Sequence, residues 1–241
     1  MSVSEPRPQP EPEPAPTPEP ALRRVRWPQA CRIVPTRYPA ISLFDRVADA
    51  DDFDALYALE AMTNERARDE IGEVERVPRA QRLYGPGSGP IMAAFTHLNV
   101  EGSRFSDGRW GVFYAARERE TAIAETRYHH ARFLAATQQP AMHLPMRLYH
   151  VAVDQRLHDL RPREAAFEAC HHPDSYAASR ALAATLHAAG SPGVVYRSVR
   201  HAGGQCVGLF SPQGASGCLH AAYLLYAWDG QGFADVYEKT A

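Results

Sequence analysis

Several features are scarce or missing in this chain, and each absence removes a class of function. Cysteine is scarce, with four in 241 residues. They stand at Cys31, Cys170, Cys206 and Cys218, and no two form a C-x-x-C pair. That spread excludes a zinc ribbon and a thioredoxin-type redox site and suits a reducing compartment. A dominant sign of charge is missing too. The formal net charge is -2, so overall electrostatics gives no reason to expect a direct nucleic-acid partner. No apolar run approaches the roughly 18 residues of a membrane helix, so a membrane partner is not expected. The chain does not open on a basic segment followed by an apolar one, so no signal peptide is expected. These absences together predict a cytoplasmic protein. A phosphate-binding glycine loop is also missing: Gly85, Gly87 and Gly89 are followed by Pro90, where the pattern needs its third glycine, and no βαβ unit follows.

What is present is an ordinary globular composition, 45% hydrophobic and 22% charged, long enough to bury a core without staples. Residues 1–20 hold eight of the twenty prolines, which predicts an extended proline-rich disordered tail. Residues 21–50 mix apolar and basic residues around Pro28, Pro35 and Pro39, and read as an irregular arm packed on the domain. Residues 51–71 read as a helix. Asp49 or Asp51 caps it, and Phe53, Leu56, Leu59 and Met62 recur at helical spacing. The predicted boundaries are a tail over 1–20, an N-terminal arm and helix over 21–75, and a main domain over 76–241.

In the main domain, residues 80–84 read as a short strand carrying Arg82, and residues 90–97 as a short helix. Strands are expected at 110–115, 143–153, 194–199 and 206–210, and a closing hairpin at 221–228 and 233–237 turns on Asp229-Gly230. Helices are expected at 118–136, 161–169 and 175–189, the last stopped by Gly190. The run Cys170-His171-His172-Pro173-Asp174 clusters metal-type side chains, but adjacent ligands before a proline are not a usual zinc spacing, and a plain loop is expected. Short strands interrupted irregularly by helices predict an α+β fold over a doubly wound one.

The stretch 102–130, GSRFSDGRWGVFYAARERETAIAETRYHH, concentrates the chemistry. An arginine, a glycine turn, an apolar strand and an amphipathic helix follow one another, and Arg104, Tyr114 and Glu125 are spaced to reach one cleft. A carboxylate among small apolar residues near a helix start is paired, catalytic or at the edge of the apolar stripe, and spacing alone does not choose.

This stretch resembles the RES domain, named for an arginine, a glutamate and a serine. The resemblance runs from about Arg82 to Phe210. GSRFSDGRWGVFYAARERETAIAET is similar to the family's arginine, strand tyrosine and, eleven residues on, glutamate, here Arg104, Tyr114 and Glu125. QRLYG supplies the earlier arginine, Arg82, and VVYRSVRHAGGQCVGLF places the serine at Ser198. Arg109-Trp110 offers a rival alignment for the second arginine. Arg104 is preferred because its ten-residue distance to Tyr114 is closer to the family's. The resemblance implies an ADP-ribosyltransferase-like mixed sheet with surrounding helices. It implies the toxin half of a bacterial toxin–antitoxin pair, whose antitoxin partner carries an Xre-type DNA-binding region. It further implies NAD+ as the substrate, cleaved at the nicotinamide–ribose bond, with no metal. The acceptor stays open. Transfer of ADP-ribose to a protein is favoured, phosphoribosyl-pyrophosphate synthetase being a known acceptor within the family. Hydrolysis or phosphorolysis that depletes NAD+ is the alternative, and a catalytically inactive NAD- or antitoxin-binding module is the other. The resemblance makes Glu125 and Arg82 catalytic and gives NAD+ binding to Arg82, Arg104, Tyr114 and Ser198. Tyr84, His97, Arg109 and Trp110 are second-rank candidates, each expected to be structural.

Overall fold

The longest extended run of the chain sets the frame. From residue 142 to 159 the buried side chains alternate. Met146 and Leu148 point to one side, and Tyr149, Val151 and Val153 to the other, as a strand covered on both faces requires. The computed structural model describes residues 19–38, 43–63 and 71–239. The tail over 1–18, residues 64–70 of the expected first helix, and the side chains of Leu59 and Met62 lie outside the described residues.

Among the described residues, seven strands form one mixed sheet. They are β1 (Leu22–Pro35), β2 (Phe113–Ala116), β3 (Met142–Asp159), β4 (Gly193–Arg197), β5 (Gln205–Leu209), β6 (Ala215–Trp228) and β7 (Phe233–Lys239). Their order is β1-β2-β5-β4-β3-β6-β7, and β1 also pairs with β3. The sheet therefore curls until β1, β2, β5, β4 and β3 close a ring, from which β6 and β7 extend. Only β3 and β4 run parallel, at His158↔Val194 and Asp159↔Val195; the other pairings are antiparallel. The helices among the described residues include α1 (Ala50–Thr63), α2 (Gly89–Thr96), α3 (Arg119–Ala136), the single turn α4 (Ala165–Glu168) and α5 (Ala177–Ala188). This is the α+β mixed sheet with surrounding helices that the sequence predicts.

Strand alternation divides the core in two. Phe113 and Ala115 of β2, Val195 of β4, and Val207 and Leu209 of β5 pack with Phe53 of α1 and with Ile91, Met92 and Phe95 of α2. Ala116, Val194, Tyr196 and Cys206, the intervening positions, pack with Ala122 and Leu134 of α3 and with Leu182, Ala183 and Leu186 of α5. One face of the sheet thus carries α1 and α2, and the other carries α3 and α5. This division decides which candidate residues can meet.

Three local expectations are corrected. The expected irregular arm contains the 14-residue strand β1, hydrogen-bonded along β3 from Leu22↔His158 to Pro35↔Met146. Its prolines do not break it. The register shifts between Trp27 and Ala30, so Pro28, which has no N–H to give, sits at the irregularity, and Pro35 ends the strand. The expected strand at 80–84 is absent. Gln81 N donates to Pro78 O at 2.8 Å and Arg82 N to Arg79 O at 3.3 Å, closing a 3-10 turn at Arg79–Gln81. Too little chain then remains before the turn at Gly85 for a strand to pair. The expected helix over 161–169 shrinks to α4 and a 3-10 turn at Ala169–His171. Arg161 instead folds back on Asp159, its Nε 2.8 Å from Oδ1 and its Nη2 2.7 Å from Oδ2. Asp49 caps α1 as expected, accepting from the amides of Asp51 and Asp52 at 2.9 Å each.

Candidate active site

Glu125 lies on α3 and Ser198 just past the end of β4, 73 residues apart in sequence. The fold joins them: Ser198 Oγ donates to Glu125 Oε1 at 2.6 Å. The direction of this proton is fixed locally. Ser198 Oγ accepts from the amides of Arg200 at 3.1 Å and His201 at 3.0 Å, so its lone pairs are engaged and its own hydrogen goes to the carboxylate. The same serine therefore closes the turn after β4 and orients Glu125. The loop is pinned to the start of α3 by Thr121 Oγ1 and His201 Nδ1, 2.8 Å apart. Gly204 is part of this fit, because a Cβ there would stand 2.5 Å from Thr121 Oγ1.

Tyr114 of β2 points to the same face of the sheet. It stands opposite Gly208 of β5, whose missing side chain leaves room for the ring; a Cβ on Gly208 would meet Tyr114 Cε1 at 3.3 Å. The phenol accepts from Phe105 N at 3.0 Å and shares a 2.8 Å hydrogen bond with Ser103 Oγ. Burial pushes its pKa up to about 12, so the hydroxyl is neutral and serves as a hydrogen-bonding group, not as a base. Burial also raises Tyr196 and Cys206 well above their ordinary values, with the Glu125 charge adding to the effect on each. Cys206 is therefore a thiol packed beneath the site and not a nucleophile.

Arg104 is buried, at 6% exposure. Its Nη1 donates to Cys170 O at 3.0 Å and His172 O at 2.9 Å, and its guanidinium lies over the Tyr176 ring, 4.5 Å from the centroid. It holds the loop before α5 against the site and brings a positive charge close enough to act on Tyr114. Arg200 extends this wall, with hydrogen bonding from Nη2 to Pro173 O and its guanidinium over the Tyr128 ring. The structure thus brings Arg104, Tyr114, Glu125 and Ser198 to the α3–α5 face.

Arg82 is anchored separately. Its Nε donates to Val77 O at 2.9 Å, and its neighbours Leu83 and Tyr84 pack on the α1–α2 core. Among the described residues, none of its hydrogen bonds reaches Arg104, Tyr114, Glu125 or Ser198. The second-rank candidates have structural settings. Tyr84 packs against Phe44 and Phe53, Trp110 stacks on His187, Arg109 pairs with Asp107, and His97 shares a hydrogen bond with Thr96. In the cluster from Cys170 to Asp174, His171 Nδ1 bonds Phe167 O, His172 Nδ1 accepts from the amides of Asp174 and Ser175, and Asp174 accepts from Tyr128. These groups build the turn into α5.

Beside Ser198 opens a groove of about 490 Å³, lined by Arg161, Arg163, Glu168, His171, Arg197 and the 202–205 loop, among others. Sequence reasoning gave none of these residues a role, reading 161–169 as a helix and His171 as part of a plain loop. Arg197 directly precedes the serine in VVYRSVR and was within reach. Arg161 and Arg163 arrive only because β3 and β4 run parallel and end together.

The chain is 26% identical over 208 residues to an uncharacterised protein, y4oC, of Sinorhizobium fredii, covering 86% of this chain and 85% of that one. A structural match to the M. tuberculosis MbcT–MbcA toxin–antitoxin complex has a TM-score of 0.46 at 13% identity, covering 91% of this chain and 87% of the other. The sequence profile of the RES domain matches residues 74–229, and on that match the chain belongs to the RES domain family.

Proposed function

We propose that this protein is the toxin of a toxin–antitoxin pair and cleaves NAD+ at the nicotinamide–ribose bond. An antitoxin with an Xre-type DNA-binding region would hold it in check by covering the cleft. The reading rests on family membership, and one observation carries it: the 2.6 Å hydrogen bond by which Ser198 orients Glu125.

Breaking the nicotinamide–ribose bond builds positive charge on the ribose, as in other oxocarbenium-like transition states. Glu125 supplies a fixed negative charge beside it. Ser198 holds Oε1, which leaves Oε2 for a ribose hydroxyl or for the incoming acceptor. The Tyr114 ring offers a face to nicotinamide, and its neutral hydroxyl adds no charge that would compete with Glu125. Arg104 keeps the 170–172 loop in place. The sequence resemblance also gives Arg82 a share of the diphosphate.

Transfer to a protein acceptor is one branch, and destruction of NAD+ by water or phosphate is the other. Incubating purified protein with labelled NAD+ and a cell lysate separates the branches. Nicotinamide release with label on one protein identifies a transferase. Release with label only on free ADP-ribose or its phosphate identifies an NAD+-depleting enzyme. No nicotinamide release from antitoxin-free protein refutes the proposal.

A further inference from the structure

The groove beside Ser198 has more positive charge than the fold requires. Of its lining side chains, Arg161, Arg163 and Arg197 are cationic and Glu168 is anionic. Each arginine has a different degree of freedom. Arg161 is locked, gripping Asp159 and reaching Gln205 Oε1 at 2.9 Å. Arg197 is held by one exposed carboxylate, its Nη2 at 3.0 and 2.9 Å from the two oxygens of Glu168, while its Nη1 is buried without a hydrogen-bond partner. Arg163 is exposed at the mouth.

A second, independent feature lies in the same wall. His171 is 8% exposed, and its Nδ1 is 3.2 Å from Phe167 O. A carbonyl accepts only, so Nδ1 carries the hydrogen. Nε2 is then a buried lone pair, and it has no partner. A buried acceptor without a donor costs free energy and marks a place where a ligand group fits. The groove therefore presents cationic forks, which match phosphate oxygens in pairs, beside an acceptor that matches a hydroxyl. Both stand at the edge of Ser198, which is bound to Glu125. The groove lies where the strands β3 and β4 end.

We propose that the diphosphate and adjoining ribose of NAD+ lie in this groove, on Arg163 and Arg197 with a ribose hydroxyl on His171 Nε2, and that Glu168 occupies the phosphate position on Arg197 until the dinucleotide displaces it. The assignment rests on the NAD+-cleaving reading. It places phosphate-binding charge next to Ser198, the hydrogen-bond partner of Glu125.

Calorimetric binding to the full-length protein tests it, using NAD+, ADP-ribose and nicotinamide riboside, which has the same nicotinamide–ribose bond and no phosphate. Arg163→Glu and Arg197→Ala are expected to weaken NAD+ and ADP-ribose at least about tenfold and to leave nicotinamide riboside within about twofold. Glu168→Gln removes the competing carboxylate and is expected to tighten both phosphate-bearing ligands about threefold to tenfold. Arg163 is exposed, so its variant should unfold at the wild-type temperature, which separates lost binding from lost folding. If wild-type protein binds NAD+ and both arginine variants bind it equally well, the groove assignment is overturned and the NAD+ reading stands. If wild-type protein binds neither NAD+ nor ADP-ribose, both are overturned.

Discussion

At the residue scale, the account turns on one hydrogen bond. Ser198→Ala removes the donor to Glu125 and the acceptor for two amides. It should lower stability by about 1–2 kcal/mol and slow nicotinamide release more than it weakens NAD+ binding, as turnover and calorimetry on one preparation would show. His171 gives a pH prediction. Burial, and next the Arg197 charge, hold its pKa below the ordinary 6.5. As pH falls below that value, the unfolded chain takes up the proton before the folded one does. The stability present above it is lost progressively towards the lower folded pKa. The unfolding temperature, followed from about pH 8 to about pH 5, should decline more shallowly in His171→Gln. At this scale the sequence was readable where a motif carried the residue, as with Arg104, Tyr114, Glu125 and Ser198. It gave no role to Arg161 and Arg163, read as helix, or to His171, read as part of a plain loop, because their meeting at the end of β4 depends on segments far apart in the chain.

At the scale of elements, the loop from Ser198 to Gly204 is the part whose placement matters most. It is wedged against α3 by a contact that tolerates no methyl group at Gly204. Gly204→Ala should cost about 1–3 kcal/mol and lower turnover by moving Ser198 away from Glu125. Adding Thr121→Ala removes the obstructing side chain and should restore part of both; stability and turnover of the single and double variants check this. Most elements were legible from periodicity and turn residues, including α2, α3, α5 and the β6–β7 hairpin. Those misread lie beside prolines. Pro28 suggested a break, yet a register shift in β1 absorbs it. Between Pro78 and Gly85, the backbone closes on itself at Arg79 and Gln81 before a strand can form. The first outcome depends on a partner strand far away in sequence, which local propensity does not contain; the second is a local turn that the reading of a short strand overlooked.

For the whole molecule, the closed ring of strands makes the N-terminal segment part of the fold. β1 pairs with both β2 and β3 and buries Val25, Trp27, Ala30, Cys31 and Ile33 in the two cores. A fragment over 76–241 contains nearly all of the family match but opens an edge of β3 and uncovers both cores. It should fail to give a cooperative thermal transition, whereas the full chain should unfold in one step. The central claim is that this ring presents Glu125 to the ribose of NAD+, and the most direct test is nicotinamide release by wild-type and Glu125→Gln protein, with NAD+ affinity measured alongside. The account predicts release by the wild type, a loss of about a hundredfold or more in the variant, and affinity within about threefold of wild type. Wild-type release in Glu125→Gln, or loss of binding in step with loss of turnover, would contradict it.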